Sequence, residues 1–399
     1  MLRKLPIGIN DFEELRNNGY IYVDKTEYIY NLIQNGKVYF MSRPYHFGKS
    51  LLLSTIKAYF EGKHALFNGL KIDTLSRNNS NKTNNSSNTN DEWTSYPVFY
   101  FDFNNSRNYN SSNGSNSSSE DMEEAIRVHL SSWEAIYGDE FKDRMLGERF
   151  RQLLRLAYEQ TGKRVVVLVD KHNNSLYELE NREYDRHNDT VFRTFFSSLK
   201  SSDRFLEFVF IAGVTKFEAG IFSDLNHLHD ISQSMDYAEV CGITEREMRE
   251  YFLPEIESMA VKQELSTEEC IVRLKQTYGG YHFDREGAEV CNPFSLLSAL
   301  VDKSFDTYGL NTEITAFFAD KIAGRENSED VNNEGIKKLT DITLYADDLL
   351  LSNYEIDTPN IVPILFHTGY LTIVDYNKKF RCYTLGFPNE DVKKNLLKH

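Results

Sequence analysis

Three stretches of the chain are apolar at consecutive positions instead of every second one: Lys37–Ser42, Arg164–Asp170 and Phe208–Thr215. Successive side chains of a strand point to opposite faces, so a strand with one wet face alternates, whereas a continuous run needs cover on both. A fourth run, Tyr96–Phe103, is aromatic and β-branched, with Pro97 near its start, where a missing N–H does least harm. Helical patterns lie between the runs. Ser50–Glu61 carries Leu52, Leu53, Ile56, Tyr59 and Phe60 on one face with Gly62 at the stop position. Thr190–Lys200 carries Phe192, Phe195, Phe196 and Leu199 behind Asp189, a candidate N-cap. Strands alternating with helices in this way predict an α/β fold of three layers with a mainly parallel sheet.

Charge limits what such a fold does. With 60 acidic and 45 basic side chains in 399 residues the net charge is −15, which excludes coating nucleic acid or an anionic membrane by bulk charge. A hydrophobic share of 40% is enough for a substantial core and excludes wholesale disorder. Two Asn/Ser-rich stretches, 77–90 and 104–119, bury too little to offset their ordering entropy and are expected to be mobile surface loops. The cysteines, Cys241, Cys270, Cys291 and Cys382, form no Cys-x-x-Cys pair, so reduced thiols are expected. No run of about 18 apolar residues occurs and Met1–Pro6 opens no leader-like stretch, so a cytoplasmic protein without membrane contact is expected. Beyond residue 240 the chain turns helix-rich and acidic, and Ile361–Tyr376 followed by Arg381–Asn389 reads as a helix leading into a short hairpin, a small winged-helix-like α+β module. The expected divisions are 1–240, 241–345 and 346–399.

The sharpest chemical feature is Ser42-Arg43-Pro44-Tyr45-His46-Phe47-Gly48-Lys49-Ser50, between a strand and a helix. Backbone N–H groups at a helix start cradle phosphate oxygens, a lysine there reaches the terminal phosphates, and a Ser hydroxyl binds Mg²⁺. Gly48, Lys49 and Ser50 supply these parts. The first glycine of the usual phosphate-binding loop is missing, because Arg43 stands in its place. Asp170, ending a buried strand expected beside the loop strand, is the candidate second Mg²⁺ ligand, held through water. Thr215 and Lys216, ending the next run, are candidate polar sensors near the γ-phosphate. The plainer alternative is a strand-to-helix turn with a capping serine.

These residues, together with Leu5–Phe12, Tyr22–Thr26, Phe47–Ser54, Gly213–Phe217, Ile221–Asn226, Tyr278–Tyr281, Asn292–Ser295 and Thr368–Thr372, resemble the predicted AAA-ATPase-like family, whose members are often joined to a PD-(D/E)xK nuclease-like domain. The resemblance implies a P-loop domain of the additional-strand class, a helical lid and a winged-helix-like tail. It implies ATP and Mg²⁺ as ligands, with Arg43, Gly48, Lys49, Ser50 and Leu51 at the nucleotide. Two departures stand out. Tyr45 and His46 replace two loop arginines of the family, and Asp170 is followed by Lys171 where the family has a glutamate that polarises the attacking water. A charged lysine cannot accept that proton, and His172, one residue further on, turns to the other face of a strand. The nuclease-like domain is expected to be absent, since the triplets Glu61-Gly62-Lys63 and Glu140-Phe141-Lys142 read as solvated helix charge.

Three functions remain open at this point. The first is an ATP-binding protein with impaired hydrolysis. The second is a working ATPase that remodels a protein or nucleic-acid partner, with His172, Glu178 or a neighbouring subunit supplying the base. The third is an interaction scaffold that binds no nucleotide. The basic segment Asn377–Arg381, with Lys393, Lys394 and Lys398, leaves nucleic acid open as a partner of the carboxyl-terminal module.

Overall fold

The computed structural model describes residues 3–80, 93–103, 119–170, 182–214, 228–308, 315, 344–347, 350–351 and 362–398. In chain order, helices α1 (Phe12–Asn17) and α2 (Thr26–Asn35) precede strand β1 (Val38–Ser42). Then come α3 (Lys49–Phe60), α4 (Lys71–Ser80), β2 (Val98–Asp102), α5 (Ser119–Tyr137), α6 (Leu146–Thr161), β3 (Val165–Asp170), α7 (Arg182–Ser201), β4 (Leu206–Gly213) and the short β5 (His229–Asp230). The second half holds α8 (Glu245–Lys262), α9 (Thr267–Tyr278), α10 (Pro293–Asp302), β6 (Leu344–Asp347), α11 (Val362–His367), β7 (Thr372–Asn377), β8 (Cys382–Gly386) and α12 (Glu390–Lys398).

The first five strands form one sheet in the order β2-β3-β4-β1-β5, and every pair in it is parallel. The continuous apolar runs account for this. Tyr39, Met41, Val166, Leu168, Phe208, Phe210 and Ala212 face one cluster with Leu52, Leu53 and Ile56 of α3. Val38, Phe40, Val165, Val167, Val169, Val209 and Ile211 face another, with side chains of α5, α6 and α7. Period-two alternation thus divides each central strand between two buried faces, the arrangement that parallel sheets require. Asp170 was expected beside the loop strand; instead β4 stands between β1 and β3. Hydrogen-bonding order is a non-local property that no single run encodes, although the additional-strand class implied by the resemblance contains such an insertion. The register aligns the carboxyl ends: Met41 lies beside Ala212, Ala212 beside Asp170, and Asp170 beside Asp102.

Other local expectations shift. Helix α7 begins well before Thr190, so Asp189 lies inside it and is not its N-cap; Arg182–Asn188 contains no Gly or Pro to stop a helix. Helix α4 runs to Ser80, so the first four residues of the Asn/Ser-rich stretch are helical, while 81–92 and 104–118 lie outside the described residues. The two Glu-x-Lys triplets stand in turns after α3 and α5 and not in helices, with Lys63 paired to Glu13 and Glu61, and Lys142 to Asp139. Helix α11 ends at His367; the rest of the run expected to be helical turns at 368–371 and enters the first strand of the hairpin at Thr372.

Helices α8, α9 and α10 bury Met248, Phe252, Ile256, Ile271, Leu274, Leu296 and Leu300 in a cluster of their own. Strands β6, β8 and β7 make a small antiparallel sheet. Its apolar side chains, among them Ile373, Tyr383 and Leu385, join the cluster beneath α3. The cysteines carry free thiols, three of them buried. Among the described residues no helix is long and apolar enough to cross a membrane.

Candidate functional site at the start of α3

The chain leaves β1 at Ser42, turns through residues 43–48 and enters α3 at Lys49. Gly48 ends the turn in the left-handed region, at φ 89°, and a Cβ there would meet nothing within 4 Å. The glycine is therefore required by its dihedral angle, not by lack of room. His46 also has positive φ, 66°, and its ring meets Phe294 edge-on at 4.9 Å. Phe47 is buried between Tyr281 and Phe283, edge-to-face at 4.8 and 5.3 Å, contacts worth about 0.5–1.5 kcal/mol each beyond burial. Pro44 packs against Gly369, where a Cβ would come within 2.8 Å of the proline Cβ. The loop is thus clamped to the carboxyl-terminal half by its own middle residues.

No side chain caps α3 and its first turn carries no acidic residue. Lys49 is 2% exposed, and its Nζ donates to the carbonyls of Arg43 at 3.0 Å and Pro44 at 2.8 Å. An ammonium bent back onto its own loop sits at the positive end of the helix dipole, an arrangement suited to an anion.

Beside it lies a cavity of about 400 Å³. Residues 46–52 form one wall, the amino-terminal segment 6–10 with Ile21 and Val23 another, and residues 240–243 with Phe252, Phe294 and Leu297 close it. Gly48, Lys49, Ser50 and Leu51 all line it, and among the described residues the lining holds Lys25 and Lys49 but no carboxylate. Lys25, unassigned from sequence, donates to the Glu239 carbonyl at 2.7 Å and to Glu247 Oε1 at 2.6 Å. Burial holds its pKa below the ordinary lysine range, against the opposing pull of Glu247. Its motif, Tyr22–Thr26, was visible among the resemblance segments, but nothing local indicated that it meets a helix more than 200 residues away.

Arg43 does not line the cavity. Its guanidinium, 1% exposed, donates to the carbonyls of Ser42, Ser232 and Tyr237 and lies over Phe283 at 4.2 Å. Burial lowers its pKa to about 10, with Cys241 and Asp230 acting the other way. In this structure the side chain is taken up by contacts within the fold, and the Arg43 carbonyl accepts from Lys49. Asp170 is fully buried at the end of β3 and accepts a hydrogen bond from Tyr100 at 3.2 Å. Two residues before it, Leu168 faces the cluster beneath α3, so Asp170 stands on the sheet face that α3 covers. Lys171, His172, Glu178, Thr215 and Lys216 lie outside the described residues.

A parallel sheet with one strand between the loop strand and the Asp170 strand, and a Gly-Lys-Ser opening the first helix after β1, define a three-layer P-loop domain. Residues 6–222 match the family model described as predicted AAA-ATPase. An uncharacterized protein in the vnfD 5' region of Azotobacter chroococcum mcd 1 is 32% identical over 402 residues, covering 99% of this chain and 69% of that protein. The chain belongs to the predicted AAA-ATPase family.

Proposed function

We propose that the chain binds ATP with Mg²⁺ at the start of α3 and hydrolyses it slowly, acting as an ATP-responsive switch. The carrying observation is the open helix start, with Gly48 left-handed, no cap, no acid in the first turn, and Lys49 held by loop carbonyls that a phosphate can replace. The residues present suit the pair of ligands. Lys49 and the first-turn N–H groups would hold phosphate oxygens, while the Ser50 hydroxyl and Asp170 would hold Mg²⁺, which neutralises charge on the β- and γ-phosphates when bound.

Slow hydrolysis follows from Lys171. A positioned base contributes roughly 10²–10⁴-fold to the rate, and a cation in its place withholds that factor. The clamp of Phe47 on Tyr281 and Phe283, and of Pro44 on Gly369, gives occupancy of the loop a direct route to the carboxyl-terminal half, where a protein partner would read it. Phosphate release by wild type and by Lys171→Glu tests the assignment. A rise of roughly 10²-fold or more in the variant is expected. Equal turnover in both would show that the lysine is not what limits hydrolysis.

A further inference from the structure

Asp170 is fully buried, and one of the groups that meet it comes from the neighbouring strand. Tyr100 on β2 is two residues before Asp102, which lies level with Asp170 across the parallel pair. Its phenol crosses to Asp170 Oδ2 at 3.2 Å. The ring packs among the side chains under α3, and the Lys57 ammonium of that helix lies 5.5 Å from the ring centroid. Tyr100 therefore joins the edge strand, the Asp170 strand and the P-loop helix.

We propose that Tyr100 is a positioning residue for metal binding: by donating to one oxygen of Asp170 it fixes the carboxylate's rotamer for the Mg²⁺ that accompanies the nucleotide. This rests on the ATP-binding reading above. Partners that orient a metal-ligating carboxylate typically contribute 10–100-fold to metal affinity without touching the ion. Tyr100→Phe removes only the hydroxyl and keeps the ring beneath α3.

The test is the Mg²⁺ dependence of binding of a fluorescent ATP analogue by the full chain, in wild type, Tyr100→Phe, Asp170→Asn and the double variant, with a nucleotide-free thermal melt of each. Binding without Mg²⁺ should be equal in wild type and Tyr100→Phe, while the Mg²⁺ concentration for half-maximal enhancement should rise about tenfold in the variant. The double variant should be no worse than Asp170→Asn alone, because a residue acting through Asp170 has nothing left to orient. A purely structural tyrosine would shift the melt, leave the Mg²⁺ midpoint unmoved and add its effect to that of Asp170→Asn. An unchanged midpoint in a wild type that does bind Mg-ATP overturns the role of Tyr100 alone. A wild type that binds no nucleotide, with or without Mg²⁺, removes the underlying reading and this role together.

Discussion

Helix α3 and helices α8 and α9 begin in opposite ways. Thr244 and Ser266 each accept from the N–H three residues on, and Glu247 and Glu269 reach back to the cap residue, so both helix starts are closed by a reciprocal capping box. At α3 a left-handed glycine takes the cap position and neither cap nor acid follows. The closed starts stabilise their own helices. Glu247 even uses its second oxygen to accept from Lys25 and so anchors the amino-terminal segment. The open start forgoes that stabilisation, as a site for an external anion must, since a side-chain carboxylate would occupy the same N–H groups.

The contrast can be broken by giving α3 the acid it lacks. Leu51 is the third residue of the helix and lines the cavity. Leu51→Glu should weaken ATP binding on the order of 100-fold, and Leu51→Gln, equal in shape but neutral, about tenfold or less, since charge at a helix start competes with the ligand. Similar losses in both variants would mean that packing and not charge is what was changed.

Removing a closed start sharpens the contrast from the other side. Thr244→Ala or Ser266→Ala should destabilise the chain by about 1 kcal/mol in thermal or denaturant melts and leave nucleotide affinity within about twofold. A cap variant that weakens ATP binding as strongly as it destabilises would join the two regions more tightly than proposed.

The smallest effect is in acid. The hydroxyl of Ser266, then its backbone N–H, hold Glu269 below the ordinary carboxylate range, and Lys275 followed by Arg249 does the same for Glu245. A carboxylate with a depressed folded pKa contributes stability above its unfolded value, about 4.3, and loses it as the pH falls through the lower folded value. The difference in melting temperature between wild type and Ser266→Ala should therefore be constant above about pH 5 and narrow below about pH 4. A pH-independent difference would argue that Glu269 takes no part in the cap.

Features set by neighbouring residues were readable from the chain. Continuous apolar runs marked β1, β3 and β4, the i, i+4 spacing of Leu52 and Ile56 marked α3, and Gly48-Lys49-Ser50 stood where strand gives way to helix. Features set by distant contacts were not. The place of β4 between β1 and β3 depends on hydrogen-bond register, and the Lys25–Glu247 pair joins residues 222 apart in the chain. The partners of the Arg43 guanidinium at Ser232 and Tyr237, far along the chain, were likewise not readable from its neighbours. Asp189 misled because a capping residue acts only where the helix starts, and α7 starts earlier.

The open start of α3 is tested most directly by titrating a fluorescent ATP analogue with Mg²⁺ into the wild-type chain and into Lys49→Ala. The account predicts a dissociation constant on the order of micromolar for the wild type and a loss of roughly 100-fold in the variant, the worth of a charged hydrogen-bonding group at about 1.5–3 kcal/mol. Wild-type affinity no better than millimolar, or the same affinity in both proteins, would contradict it.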